Sequence, residues 1–253
     1  MIPLIQKEFM EIWRTGKMLI LALVFTVVGI MNPAIAKMTP WLMELMKDSL
    51  EGTGLIMTQV TVNALNSWTQ FFKNMPIALV IFVLSMSGVL TKEYRCGTLI
   101  LSLSRGVRRY KILLSKALVL ILLWTGGYWL CFGITYGYNA WYWENAVALN
   151  LFFAAFAWWE LGMLVAALIL LFSALTNSGS GVTLGVAGSV FGMYLVSLLP
   201  KVGAWMPTKL MDGNAIVYAL ADPRAYGKAA ILAGMMFFVC LGAAISVLHK
   251  KKL

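Results

Sequence analysis

The chain has 253 residues, of which 61% are hydrophobic and only 12% are charged, and its formal net charge is +10. Because a soluble domain usually has about a quarter of its residues charged, this composition excludes an ordinary soluble protein. The apolar residues occur in long blocks, which is typical of helices that face lipid. We therefore predict an all-α polytopic membrane protein.

The first predicted element is an amphipathic helix in residues 1–17. Apolar side chains recur at helical spacing along one face, and charged side chains take the other face. This pattern favours a helix that lies along the inner leaflet, although a frayed start to the first span is an alternative. The apolar residues are Ile2, Ile5, Phe9, Ile12 and Trp13, and the charged residues are Lys7, Glu8, Glu11 and Arg14.

Six apolar blocks follow, and each approaches the roughly 20 residues that a helix needs to cross a bilayer. The second block is short, so we expect its helix to begin near Trp68. No repeat or linker divides the sequence, and we predict one transmembrane domain covering residues 1–253. The predicted spans are residues 18–36, 68–90, 117–138, 147–175, 182–199 and 229–248.

The distribution of lysine and arginine predicts the orientation of these spans. Thirteen of the twenty basic residues fall on the side that holds both termini and residues 91–116. Basic residues accumulate on the cytoplasmic side of membrane proteins, so we expect both termini to be cytoplasmic. Anionic lipid head groups explain the positive charge, and no nucleic-acid partner is predicted.

Residues 91–116, "TKEYRCGTLILSLSRGVRRYKILLSK", carry seven of the twenty basic residues. The order is an acid at Glu93, Gly97 and Thr98, a short apolar helix, a basic cluster, and an apolar run that ends at Lys116. Glycine permits a backbone turn that other residues resist, and threonine is suited to cap a helix. An ordinary positively charged loop is the alternative that charge alone leaves open.

This order resembles the loop between spans two and three in the type-2 permeases of the ATP-binding cassette (ABC) transporter superfamily. The letters "EYRCGTL" match its glutamate, three residues and Gly-Thr-Leu without a gap, and "KILLSK" falls in register. Gly106 stands where proline is usual, and Arg108 stands where serine is usual. The amphipathic start of the chain and the plan of six spans resemble the same family.

The resemblance implies the membrane subunit of an ATP-driven exporter in the bacterial plasma membrane. Residues 91–116 would then be a coupling segment that docks on a separate ATPase subunit, and a second permease copy, identical or different, would complete the transporter. The residues that the resemblance assigns to coupling are Glu93, Gly97, Thr98, Leu99, Leu101, Leu103, Ser104, Arg105, Arg108, Arg109 and Lys116.

The sequence contains no GxxxxGK[ST] motif, which a P-loop needs to hold ATP. We therefore expect ATP and Mg²⁺ on the partner ATPase, no cofactor or metal on this chain, and no enzymatic activity of its own. Sixteen methionines and ten tryptophans suit a soft, adaptable apolar surface. The expected substrate is an amphipathic or hydrophobic molecule such as a peptide, an antibiotic or a lipid-like compound.

The fifth span carries a stripe of small residues at Gly181, Gly185, Gly188 and Gly192. Such spacing lets helices approach closely. Packing within the chain is the simplest interpretation, and a role in a subunit interface or a substrate pathway is the alternative.

Glu160 is the only acid deep inside a predicted span. A charge at that depth costs about 3 kcal/mol on insertion scales, so the residue either ties helices together or handles a substrate or proton. The second role would favour a secondary transporter or channel as the alternative function. A membrane-embedded enzyme is disfavoured, because the spans contain no pair of acids, no HExxH motif and no histidine.

Overall fold

The computed structural model describes residues 2–50, 62–104, 106–199 and 201–251, with the backbone alone for residues 43, 46–50 and 100–102. Every regular element in these ranges is a helix, which confirms the predicted all-α class. The α-helices are α1 Ile2–Arg14, α2 Lys17–Leu50, α3 Ala64–Met86, α4 Thr91–Arg95, α5 Thr98–Ser104, α6 Arg109–Tyr142, α7 Leu151–Leu175, α8 Gly179–Ser197, α9 Gly213–Val217 and α10 Gly227–Lys250.

Within the described ranges, six helices are long and apolar enough to cross a bilayer, as predicted: α2, α3, α6, α7, α8 and α10. Several extend beyond the predicted apolar blocks. Helix α2 continues past residue 36 to Leu50, α3 begins at Ala64, and α6 begins at Arg109. The apolar block marks the stretch that suits lipid, whereas helical hydrogen bonding continues into polar flanks.

An aromatic cluster fills the space between α2, α3 and α6. Phe25, Trp68, Phe71, Trp124 and Tyr128 are fully buried there. Ring centroids lie 5.9 Å apart in both the Phe25–Trp124 and Phe71–Tyr128 pairs, with edge-to-face geometry. Such rings bury large areas in preferred orientations, so this cluster fixes the three helices against one another.

Helix α7 packs against α6, α8 and α10. Gly162 of α7 lies against the indole of Trp124, where a Cβ atom would have no room. Two side chains of α6 also reach carbonyl oxygens of α7: Trp124 Nε1 donates to Trp159 at 3.0 Å, and the Tyr128 hydroxyl donates to Ala155 at 2.7 Å. Close packing and side-chain hydrogen bonds therefore both hold α6 to α7.

A chain of three hydrogen bonds, two of them fully buried, joins α2, α3 and α6. Pro33 has no amide proton, so the carbonyl of Gly29 loses its partner within α2. The Thr135 hydroxyl donates to that carbonyl at 3.0 Å. Asn32 Nδ2 donates to Thr135 Oγ1 at 3.2 Å, and Asn74 Nδ2 donates to Asn32 Oδ1 at 2.9 Å.

The segment between α8 and α10 packs on one end of the bundle. It contains α9 and short 3₁₀ helices at residues 203–205, 207–211 and 223–226. Leu210, Ile216 and Val217 are buried, and Trp158 Nε1 of α7 donates to the carbonyl of Met211 at 2.9 Å. This segment therefore closes the end of the bundle opposite to the one that holds α4 and α5.

Candidate functional site: the coupling segment

Residues 91–116 form two short helices and the first two turns of α6. Helix α4 ends at Arg95, and the chain turns at Gly97, whose φ of +67° is a conformation that favours glycine. Helix α5 begins at Thr98, and Gly106 follows it with a φ of +80°. Two glycine turns therefore set the direction of α5.

Helix α5 has one face toward its own chain and another toward the outside. Leu99 is fully buried in the core, and Leu103 is half-buried against it. Thr98 and Ser104 are exposed. The two inward leucines are four residues apart, which places them on one face of a helix.

Three further residues of the predicted coupling segment lie in or beside α5: Leu101, Arg105 and Arg108. Arg108 is exposed between α5 and α6. Leu101 lies in α5 with only its backbone described, and Arg105 lies outside the described residues.

Four charged side chains meet where α1, α4 and α6 come together, and we call them the four-charge cluster: Lys7, Glu8, Glu93 and Lys116. Lys116 Nζ lies 2.7 Å from Glu8 and 3.3 Å from Glu93. Lys7 Nζ lies 2.7 Å from Glu93 and 3.7 Å from Glu8. Each ammonium group therefore contacts both carboxylates.

Three of the four side chains in the four-charge cluster are shielded from solvent, whereas that of Lys7 is 44% exposed. The side chain of Lys116 is 1% exposed, and those of Glu8 and Glu93 are each 6% exposed. Removing one partner of a buried ion pair typically costs about 3–5 kcal/mol, because the other charge stays buried and unpaired. The buried charges of Glu8, Glu93 and Lys116 therefore depend on one another.

Burial and pairing shift the pKa values of the two α1 residues. Burial raises the pKa of the Glu8 carboxyl, and the ammonium of Lys116 opposes this shift. Burial alone would lower the pKa of Lys7, but its hydrogen bond to Glu93 and the nearby carboxylates outweigh burial and raise it. The pairing therefore keeps Lys7 protonated.

A second, exposed ion pair also joins α1 to α4: Lys92 Nζ lies 3.4 Å from Glu11. The carboxylates of Glu8, Glu11 and Glu93 come within 4.8 Å of one another, as metal ligands do. Each of these acids pairs with a lysine in the structure, and those positive charges oppose the binding of a metal ion.

The other side of the coupling segment is fixed to the end of α10. Arg109 Nη1 donates to the carbonyl oxygens of Leu248, His249 and Lys251 at 2.9, 3.1 and 2.6 Å. A cation is favourable at a helix C-terminus, where the last carbonyls lack helical partners. Arg109 therefore caps α10.

Lys251 extends this attachment to α4 and α7. Its Nζ lies 4.1 Å from the centre of the Tyr94 ring and donates to the carbonyl of Ala174 at 2.9 Å. The first contact is a cation–π interaction, and the second satisfies a carbonyl at the end of α7. The coupling segment is therefore fixed on two sides, by α1 and by α10.

The glycine stripe of α8 divides into two parts. Gly185 lies against the ring of Phe172, with no room for a Cβ atom, and Gly181 lies beside Ser178 and Thr176. Gly188 and Gly192 face open space. Packing within the chain therefore explains the first half of the stripe and leaves the second half exposed.

Glu160 is half-buried in α7, and its Oε1 atom points toward Gly234 of α10. Within the described residues, its carboxylate takes part in none of the hydrogen bonds or ion pairs that join side chains. Its role as a helix tie or as a proton or substrate group stays a prediction.

An apolar cavity of about 370 Å³ lies between α3, α7, α8 and residues 207–211. Its walls include Val83, Val165, Val190 and Phe191. Thr208 also lines it, and among the described residues the buried hydroxyl of Thr208 finds no hydrogen-bond partner. The cavity can therefore hold an apolar group.

Six apolar helices define this chain as a multi-pass membrane protein. Residues 2–216 match the family of ABC-2 family transporter proteins. The chain belongs to this family, and the resemblance inferred from residues 91–116 is thereby confirmed. The chain is also 26% identical over 219 residues to the uncharacterized transmembrane protein YxlG of Bacillus subtilis (strain 168), covering 83% of this chain and 81% of that protein.

Proposed function

We propose that this chain is the permease subunit of an ATP-driven exporter and works with a separate ATPase subunit. The observation that carries the proposal is the construction of the coupling segment. The segment is fixed to α1 by the four-charge cluster and to α10 by Arg109. Other side chains of the same segment are exposed to solvent. A short, firmly held element can transmit a push from a soluble partner to the helices that it joins.

The docking surface that we propose consists of Arg95, Thr98, Ser104 and Arg108, which are exposed. Leu103 packs on its own chain, so the proposed surface consists of polar and basic side chains. Two of the four residues are arginines, so the complementary surface of the ATPase should carry acidic side chains.

The apolar cavity supports an amphipathic or hydrophobic substrate. Its walls are almost entirely apolar, and the hydroxyl of Thr208 is buried beneath them. Small-molecule sites are lined predominantly by hydrophobic and aromatic side chains. A peptide, an antibiotic or a lipid-like molecule meets this description better than a simple ion does.

A second permease copy is part of the proposal. Leu184 and Phe191 of α8 are exposed, and Gly188 and Gly192 leave open space on the same helix. Helices with small residues at this spacing associate closely in membranes. This surface of α8 is the place where we expect the second copy to pack.

The ATPase partner is tested by reversing charge on the docking surface. The variant Arg95→Glu with Arg108→Glu should fold and insert normally, since both side chains are exposed. It should lose at least nine-tenths of the ATPase that co-purifies with the unmodified protein, because acidic groups would then face acidic groups. Quantitative mass spectrometry of the purified protein measures this loss.

The matched control is Lys250→Glu, an exposed basic residue at the end of α10 outside the docking surface. It should retain the ATPase. Purification of the unmodified protein from its native membrane without any nucleotide-binding chain would contradict the proposed function.

A further inference from the structure

We propose that Lys7 and Glu8 are positioning residues that make α1 move together with the coupling segment. The segment would then drive three helices, α1 as well as α3 and α6. This inference rests on the proposed function, since it concerns how a push from an ATPase spreads through the permease.

The first argument is the choice of partners in the four-charge cluster. Glu93 and Lys116 belong to the motif that resembles a coupling loop, yet both are buried and unable to reach a docked protein. Their partners are Glu8 at 2.7 Å from Lys116 and Lys7 at 2.7 Å from Glu93. The acid and the lysine of the motif therefore act on α1.

The second argument is the position of α1. It packs on α6 and α2, while Phe9, Met10 and Trp13 are exposed on its outer face. An amphipathic helix with such a face lies in the head-group region. Movement of α1 would therefore shift both the first span and the adjacent lipid.

The third argument is that the cluster resists partial separation. Glu8 and Glu93 come from different helices and share both ammonium groups. Withdrawing α1 would leave Lys116 and Glu93 buried with only each other, because each would lose the partner that lies 2.7 Å away. Helices linked in this way move as one body unless water replaces the charged partners of these side chains.

The test measures one distance by double electron–electron resonance. Cys96 is exposed in the coupling segment, while Cys131 and Cys240 are buried. A spin label on Cys96 and another on Met10→Cys report the separation of the segment from α1. The full chain is studied in nanodiscs of phosphatidylethanolamine and phosphatidylglycerol.

In the protein with an intact four-charge cluster, the distribution of distances between the labels on Cys96 and Met10→Cys should be narrow. Glu8→Gln with Lys116→Met removes two opposite charges and their hydrogen bond while keeping side-chain size, and the width should then at least double. The matched control, Glu11→Gln with Lys92→Met, removes the exposed pair between the same two helices and should leave the width unchanged. If the distance distribution of Glu8→Gln with Lys116→Met were as narrow as that of the protein with an intact cluster, the inference would be overturned.

Glu8→Asp is a milder variant that tests the inference even if Glu8→Gln with Lys116→Met fails to fold. It keeps the charge and withdraws the carboxylate by one methylene group, so the distribution should broaden by a smaller amount at normal yield. An unchanged width in this variant would also overturn the inference.

The same labels are then read with the ATPase bound, before and after ATP is added. The Cys96–Met10 distance should stay constant, while the distance from Cys96 to a label at Leu220→Cys should change. A change in the distance from Cys96 to Met10→Cys, or a constant distance from Cys96 to Leu220→Cys, would overturn the inference that α1 moves with the coupling segment. Absence of any co-purifying ATPase would defeat the proposed function, whereas the result in nanodiscs would still decide whether the cluster ties α1 to the segment.

Discussion

Thr135 shows how a single hydroxyl compensates for a proline in a membrane-spanning helix. It donates to the Gly29 carbonyl that Pro33 leaves unpaired and accepts from Asn32. We expect Thr135→Val to lower the free energy of unfolding by about 1–2 kcal/mol, because two buried polar groups lose their partner at nearly constant volume. Thermal unfolding in detergent measures this change.

Thr135→Ser is the control for this prediction, since it keeps the hydroxyl and removes one methyl group. It should be more stable than Thr135→Val. Equal or higher stability of the valine variant would show that the hydrogen bonds to Gly29 and Asn32 contribute little.

The motif in the sequence predicted Glu93 and Lys116 as site residues, but it did not predict that their partners lie on α1. Glu8 was placed on the polar face of an amphipathic helix, and charges on such a face usually point into water. Here Glu8 and Glu11 of that face turn toward other helices, where two lysines, Lys116 and Lys92, meet them. A helical pattern identifies which residues share a face, but tertiary packing decides what the face contacts.

Among the elements, α8 offers a comparison between two glycines of one stripe. Alanine is intrinsically better than glycine in a helix by about 1 kcal/mol, but Gly185 has the ring of Phe172 against it. We expect Gly185→Ala to destabilise the protein by about 1–3 kcal/mol through overpacking. Thermal unfolding of the purified protein measures the effect.

Gly188→Ala is the matched substitution, because a Cβ atom there meets open space within the described chain. It should leave the stability of the monomer unchanged or raise it. If a second copy packs on this part of α8, Gly188→Ala should weaken association measured by cross-linking. Destabilisation of equal size at both positions would contradict the division of the stripe.

The six spans were predictable because hydrophobic blocks of sufficient length have few other stable structures. The ends of the helices were less predictable. Residues 109–116 were predicted to belong to the coupling segment ahead of the third span, yet they form the start of α6, where Arg109 caps α10 and Lys116 joins the four-charge cluster. Polar side chains that find partners across the fold allow a helix to continue beyond the lipid.

For the molecule as a whole, charge distribution and fold together constrain the topology. Ion pairs and hydrogen bonds join residues 91–116 to the middle of α1 and to the end of α10, so these parts must lie on one side of the membrane. That side carries thirteen of the twenty basic residues. The positive-inside rule predicts that this side is the cytoplasmic one.

Cys96 makes this topology testable without altering the protein, since it is exposed while Cys131 and Cys240 are buried. A membrane-impermeant maleimide should leave intact cells unlabelled and should label inverted membrane vesicles. In a Cys96→Ser background, Leu220→Cys should show the opposite pattern, because Leu220 is 81% exposed at the other end of the bundle. Labelling of Cys96 in intact cells would place the four-charge cluster and the docking surface outside the cell, where no ATPase subunit could reach them.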